Sequence, residues 1–178
     1  MKAIFIFIVT TSFTIFVLFS AFSCVSIPKN LNAVQNFEVQ KYTGTWYEIA
    51  RFDFRFEKNL KNVTATYSQN PDGSIKVINK GFDYIENKWK QAEGKAKFVN
   101  NSNEGRLKVS FFGPFYAGYN VIAMQPDYKN VWVVGNDKSY MWILSRNKTI
   151  DDSTKNHFIK LAKEAGFDTD KLVWTVQE

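Results

Sequence analysis

From Tyr42 onward the chain alternates apolar and polar residues with a period of two, broken at short intervals by turn residues. That pattern makes half-buried strands, not an amphipathic helix, whose period is 3.6. It predicts strands at 45–52, 63–69, 74–80, 88–98, 105–112, 118–124, 130–135 and 140–146. Asn70-Pro71-Asp72-Gly73 is a strong turn between the second and third of these. Asn100-Asn101-Ser102-Asn103-Glu104-Gly105 and Gln125-Pro126-Asp127-Tyr128 mark two more. Eight strands in roughly 100 residues, mostly joined by hairpins, favour a meander or barrel over a βαβ fold. One helix follows the sheet. Asp151 or Asp152 caps it, Phe158, Leu161, Ala162 and Ala165 recur at helical spacing, and Gly166 stops it. Leu172-Val173-Trp174-Thr175-Val176 reads as a short last strand.

The N-terminus belongs to another class of segment. Lys2 precedes an uncharged run from Ala3 to Phe22 that holds six of the 17 phenylalanines. A positive start, an apolar core and small residues at its end describe a secretory signal over residues 1–23. About 155 residues remain, the size of one domain, able to bury a core without disulfides. Residues 24–36 are polar and Pro-containing, a tether, and the folded domain spans 37–178. The only cysteine is Cys24, so an exported chain of this sequence cannot close an internal disulfide. Ala21-Phe22-Ser23-Cys24 resembles the lipobox of bacterial lipoproteins, which implies cleavage before Cys24 and acylation of its thiol. Val25, not Asp, follows the cysteine, and by that resemblance the anchor favours the outer membrane, with the folded domain on the periplasmic side. The residues also leave open an ordinary signal with a cysteine near the cut, or an uncleaved N-terminal anchor.

The net charge of +6 does not point to nucleic acid. Lysines are interleaved with acids, as across residues 86–93, and no run of five or six like charges occurs.

Three motifs then carry a family resemblance. Gly44-Thr45-Trp46-Tyr47-Glu48-Ile49-Ala50-Arg51 opens the first strand, Pro126-Asp127-Tyr128 occupies the turn after the sixth, and Arg146 closes the eighth. Together and in this order they resemble the lipocalin family, in particular its bacterial outer-membrane branch related to apolipoprotein D. Pro126 stands where that family often carries Thr. The resemblance covers residues 37–178 and implies an all-β fold: an eight-stranded antiparallel up-and-down β-barrel with a C-terminal α-helix and a short last strand. It implies that Gly44, Trp46, Asp127, Tyr128 and Arg146 are structural, with Trp46 sealing one end and Arg146 lying over its ring. Taking Arg146 at that plug, alternation turns Leu144, Trp142 and Tyr140 inward. The family's strand register turns inward Val63, Ala65, Tyr67, Ile75, Val77, Asn79, Leu107, Val109, Phe111, Tyr119, Val121 and Ala123, and on the seventh strand Trp132 and Val134. Such a lining suits an acyl chain with its polar head near the mouth, hence a fatty acid or lysophospholipid. The alternative is a filled barrel in a structural or stress-linked envelope lipoprotein, and a haem or pigment carrier is a third, weaker reading. Bacterial relatives make a homodimer a further expectation.

No catalytic constellation accompanies these motifs. The single histidine, His157, falls on the helix beside an apolar stripe, and no Gly-x-Ser-x-Gly, His-Glu-x-x-His or phosphate loop is present. Glu48, Asp53 and Glu57 lack a partner base or nucleophile in the sequence. No enzyme activity, metal or cofactor is expected.

Overall fold

The computed structural model describes residues 25–178; the signal expected at 1–23 and the lipidation expected at Cys24 fall outside the described residues. Eight strands, β1 (Gly44–Phe52), β2 (Leu60–Gln69), β3 (Ile75–Asp83), β4 (Lys88–Phe98), β5 (Arg106–Phe112), β6 (Phe115–Met124), β7 (Asn130–Val134) and β8 (Met141–Ser145), follow a short α1 (Val39–Tyr42). A helix α2 (Asp152–Glu164), a 3-10 turn (Thr169–Lys171) and β9 (Leu172–Trp174) complete the chain. Each strand pairs antiparallel with its neighbour in sequence, and β1 closes the ring by pairing with both β8 and β2. The result is an eight-stranded up-and-down barrel. Closure removes the exposed sheet edges that would otherwise template aggregation.

β1 changes partner along its length. Gly44–Tyr47 pair with β2, whereas Ala50–Phe52 pair with β9. Beyond β9 the C-terminal segment fills the gap between β1 and β2. The Thr175 N–H donates to the Ile49 carbonyl at 3.0 Å, and the Asn62 N–H to the Val176 carbonyl at 2.8 Å. Gln177 Nε2 donates to the carbonyls of Glu48 and Val63, each at 2.8 Å.

The apolar residues divide into two layers. One fills the barrel and includes Trp46, Tyr67, Val77, Leu107, Val121, Val131, Val133 and Leu144. The other lies outside, where Phe158 and Ala162 of α2 pack on Ile49, Ala50, Phe52, Met141 and Ile143. The helix is held at both ends. Asp151 accepts from the Thr154 N–H at 2.8 Å, and Gly166 takes the left-handed conformation (φ +78°) that ends it.

The inward assignments on β7 require correction. Trp132 and Val134 face outward under α2, with the Trp132 ring 5.5 Å from Phe167, and Val131 and Val133 line the interior instead. All five residues of β7 are buried because one face meets the barrel contents and the other the helix. A strand covered on both faces carries no alternation from which to choose the side. Ala123 is corrected for a different reason. A register shift between Val121 and Ala123 changes the phase, so Val121 faces inward and Ala123 joins the outer layer. β2 begins at Leu60 and not at 63, since the polar Lys61-Asn62 pair lies at an irregularity where Asn62 takes φ +51°.

The segment before the barrel lies against its wall. Ser26 bonds Asn136 through its N–H (3.2 Å) and its hydroxyl (2.9 Å), and Asn120 Nδ2 donates to the Ser26 carbonyl at 3.2 Å. Farther along, the Val34 N–H donates to the Val121 carbonyl and the Val34 carbonyl accepts from the Gly105 N–H.

Candidate functional site

The barrel has unlike ends. One carries the connections 70–74, 99–105 and 125–129 and is covered by α1; the other carries 53–59, 84–87, 113–114 and 135–140. At the covered end the guanidinium of Arg146 lies 3.9 Å from the centre of the Trp46 ring. Its nitrogens donate to the carbonyls of Lys41 (2.8 Å), Tyr42 (3.0 Å), Thr43 (2.9 Å) and Thr45 (2.9 Å). Lys41, Tyr42 and Thr43 stand at the end of α1, where a helix leaves its last carbonyls unpaired, and Thr45 is in β1. Gly44 sits at φ +96°, and a Cβ there would approach Arg146 Nη1 to 3.3 Å, so glycine serves both the turn and the cation above it. The Trp46 indole N–H donates to the Tyr42 carbonyl at 2.8 Å, which leaves this fully buried ring satisfied. Tyr128 (φ +57°) accepts from the Glu38 N–H through its hydroxyl, and Asp127 accepts from the Lys129 N–H.

Above the plug, Tyr119 shares hydrogen bonds with Tyr42 (2.6 Å) and Tyr67 (2.9 Å). Burial pushes all three phenols above their ordinary range, so they stay neutral at any physiological pH. The wall above them is apolar. Register places Ala65 and Val77 on the Trp46 face, continued by Ile75, Ala96, Leu107, Val109, Val121 and Leu144. Phe111 lies over Gly94, where a Cβ would meet its ring at 2.9 Å. Asn79 pairs with Ala65 across the ladder and so shares the inner face, and its buried Oδ1 has no protein partner. Val63 is buried beside Gly81 on the same side.

At the open end the interior becomes charged. Glu48, two residues beyond Trp46, faces Leu144, and a register shift between Glu48 and Ala50 then turns Arg51 toward Trp142, so both point inward. Arg51 Nη1 donates to Glu48 Oε1 at 2.7 Å and Nη2 to the Glu57 carbonyl at 2.7 Å. Glu57, from the 53–59 connection, accepts from the Trp142 indole N–H at 3.1 Å. Trp142 also meets Phe54 edge-on at 5.5 Å and stacks with Tyr140 at 6.3 Å. Tyr140 is thus a rim residue, exposed at the mouth and not enclosed by the wall. Burial, and then the charge of Glu48, hold the Glu57 carboxyl well above the usual carboxylate range. Glu48, Glu57 and the half-exposed Asp53 surround a single guanidinium. With all four groups ionised the cluster is acidic. Among the described residues no group of His, Cys, Asp and Glu is arranged to hold a metal.

Alternation from Trp46 turns Glu48 inward, but it hides Arg51, which lies beyond the register shift, and it does not reach Glu57 in the 53–59 connection. The available signal is in the motif itself: Glu48-Ile49-Ala50-Arg51 puts two charges three apart in an otherwise apolar strand. Both can find a shared interior partner only if the strand slips by one residue.

Comparison with known proteins agrees with this architecture. A family model described as a lipocalin-like domain matches residues 37–177. The outer membrane lipoprotein Blc of Escherichia coli (strain K12) is 51% identical over 150 residues, covering 84% of this chain and 85% of that protein. The protein of the same name from Vibrio cholerae is 44% identical over 156 residues, covering 87% and 91%. Apolipoprotein D of Mus musculus is more distant, 31% identical over 151 residues, covering 80% and 78%. Among solved structures, the cockroach allergen Per a 4 superposes with a TM-score of 0.67 at 21% identity, covering 86% of this chain and 95% of that one, and so bears on the fold alone.

Proposed function

The chain belongs to the lipocalin family, whose members bind small hydrophobic ligands, and from that premise we propose that it is an outer-membrane lipoprotein that holds single-chain lipids. The observation that carries this reading is the gradient inside the barrel: apolar walls through Val77, Leu107, Val109 and Leu144, then a charged cluster at the mouth. An acyl chain occupies the first and a polar head the second. Anchoring follows from the lipobox-like sequence at Cys24 and from the relatives named outer membrane lipoproteins. Storage or transport of lipid in the cell envelope is the role such a protein fills.

Fatty acids and lysophospholipids differ at the head, and the mouth discriminates between them. Arg51 is already bonded to Glu48, so a fatty carboxylate would add a further anion beside Glu48 and Asp53. A lysophospholipid with an ammonium head brings a cation to the carboxylates, and the indole of Trp142 offers a face for it. Lysophosphatidylethanolamine is therefore the preferred class and fatty acid the weaker one.

Delipidated protein should take up a fluorescent fatty acid, and lysophosphatidylethanolamine should displace it at lower concentration than palmitate. Mass spectrometry of protein purified without detergent exchange should find single-chain lipid bound. Absence of both uptake and copurified lipid would instead support a filled barrel serving as a structural envelope lipoprotein.

A further inference from the structure

The wall of the barrel is not paired evenly. β4 runs beside β3 through nine consecutive pairs, from Lys88 to Ala96, but it meets β5 in only four, from Lys95–Ser110 to Phe98–Leu107. Toward the open end from Lys95–Ser110, β4 continues to Lys88 and β5 to Phe112 without pairing to each other. At the same level a register shift between Val109 and Phe112 disturbs the pairing of β5 with β6. Ala92 shows the consequence: its register with Asn79 puts it on the inner face, yet it is exposed. Continuous pairing is what closes a barrel, so a seam where the ladder stops is a place where the wall can open.

One ring fills the seam. β4 has no side chain at Gly94, where a Cβ would stand 2.9 Å from the Phe111 ring and 2.8 Å from the Ser110 carbonyl oxygen. The Phe111 ring packs against the apolar residues of the barrel interior. It also borders a depression of about 770 Å³ on the outside of the wall, together with Gly94, Ser110 and Tyr116, a size within the range of ligand clefts. A single side chain thus stands between the interior and the outside. Widening the seam breaks no pair between β4 and β5, because their ladder has already ended at Lys95–Ser110. The end-on path is harder. There Glu48 and Arg51 form a buried ion pair, and Phe54 and Glu57 of the 53–59 connection lie against Trp142. An acyl chain threaded end-on has to push past both, and prising a buried ion pair apart is costly.

We propose that the seam between β4 and β5 is a side entrance for the acyl chain of the ligand, with the Phe111 ring as its gate. The seam is continuous with the open end, so the chain slides in sideways while the head stays outside and comes to rest at the mouth. Ala92, Gly94 and Phe111 offer the chain apolar edges, and the exposed Phe112 and Phe115 stand on the hairpin that forms one side. Entry then requires neither a swing of the 53–59 connection nor passage of the head through the wall. The inference rests on the lipid-binding reading given above, and the entrance can fail while that reading stands.

Cys24 is the only cysteine, so in the full chain carrying Cys24→Ser an added pair has no competitor. Continued register sets Glu93 opposite Phe112, and Glu93→Cys with Phe112→Cys staples the seam from outside the cavity. Lys97→Cys with Lys108→Cys staples the same two strands where they are already paired. Uptake and release of cis-parinaric acid, a fluorescent fatty acid, are followed by stopped flow. The seam staple should slow both by about tenfold or more and leave the dissociation constant unchanged, the mark of a barrier on the path and not of a change at the destination. Reduction should restore the parent rates, and the Lys97–Lys108 staple should alter neither. Where free thiols show that a disulfide has not formed, a short bis-maleimide closes the pair. Phe111→Ala removes the gate without any staple and should speed both uptake and release. Rates unchanged by the seam staple, or slowed equally by the two staples, overturn the side entrance, and so does a Phe111→Ala chain that exchanges ligand no faster than its parent. A parent that takes up no fatty acid sinks the lipid-binding reading and the entrance with it. A parent that binds lipid at its usual rates past a stapled seam sinks the entrance alone.

Discussion

The two ends of this barrel are solved by opposite means. At the covered end almost every polar group has a partner: Arg146 satisfies four carbonyls, Trp46 bonds Tyr42, and the connections are polar. At the open end aromatic side chains stand in solvent, and two buried carboxylates share one guanidinium. One end sets a cation on an indole and the other gathers acidic side chains around an arginine. A satisfied end contributes stability; an unsatisfied end is tuned to what it receives. Substitutions at the first should therefore act on melting and those at the second on binding.

The largest effect expected is at the plug. Trp46→Ala removes a fully buried indole and should destabilise the fold by about 3–5 kcal/mol, measured by denaturant unfolding. Arg146→Ala should cost less, about 1–3 kcal/mol, because the freed carbonyls lie where water can reach some of them. Arg146→Lys should not restore the loss, since one ammonium cannot reach four carbonyls and cover the ring. If either alanine variant melted with the parent, the covered end would not be the stabilising half.

The next effect belongs to the mouth. Trp142→Glu adds a third inward carboxylate beside Glu48 and Glu57. It should weaken fluorescent fatty-acid binding by at least about tenfold, the desolvation cost of one more charge near the chain, while changing the melting temperature far less than Trp46→Ala. Trp142→Phe should remove much of the ligand-induced change in tryptophan emission. Equal losses of stability and binding from Trp142→Glu would mean that the mouth, too, is structural.

How far the sequence could be read follows the same division. Period two, turn chemistry and three motifs located the barrel, its closing helix and the residues of the plug, because each is a local signal or a short fixed pattern. Ala65, Tyr67, Val77, Val109 and Leu144 fall on the interior because their strands alternate cleanly. Trp132 and Val134 did not yield to the same reasoning, since β7 is apolar on both faces. Arg51 escaped it because the one-residue slip after Glu48 is invisible to a count by twos, whereas Glu48, two residues from the inward Trp46, was within its reach. Glu57 comes from a connection, where no periodicity applies at all. The path of residues 26–36 along the wall was equally hidden, for it depends on Gly118 and Asn136, far away in the chain.

The smallest effect, and the most diagnostic of the mouth, is on Glu57. Its carboxyl is held above the usual range by burial and by the charge of Glu48. For such a group the folded protein binds more protons than the unfolded chain between the ordinary glutamate value and the raised one. Stability is thus greatest below that window and falls as pH rises through it. Glu57→Gln keeps the acceptor for the Trp142 indole N–H and removes the ionisation. The variant should melt with the parent near pH 4 and above it at pH 8, with the gap opening between. Binding should hardly move, because a neutral Glu57 leaves the preference for an ammonium head to Glu48 and Asp53, so the variant should bind lysophosphatidylethanolamine and palmitate much as the parent does. A variant less stable than the parent at pH 8 would mean that Glu57 is a satisfied anion paired with Arg51, and the mouth would then be as complete as the plug.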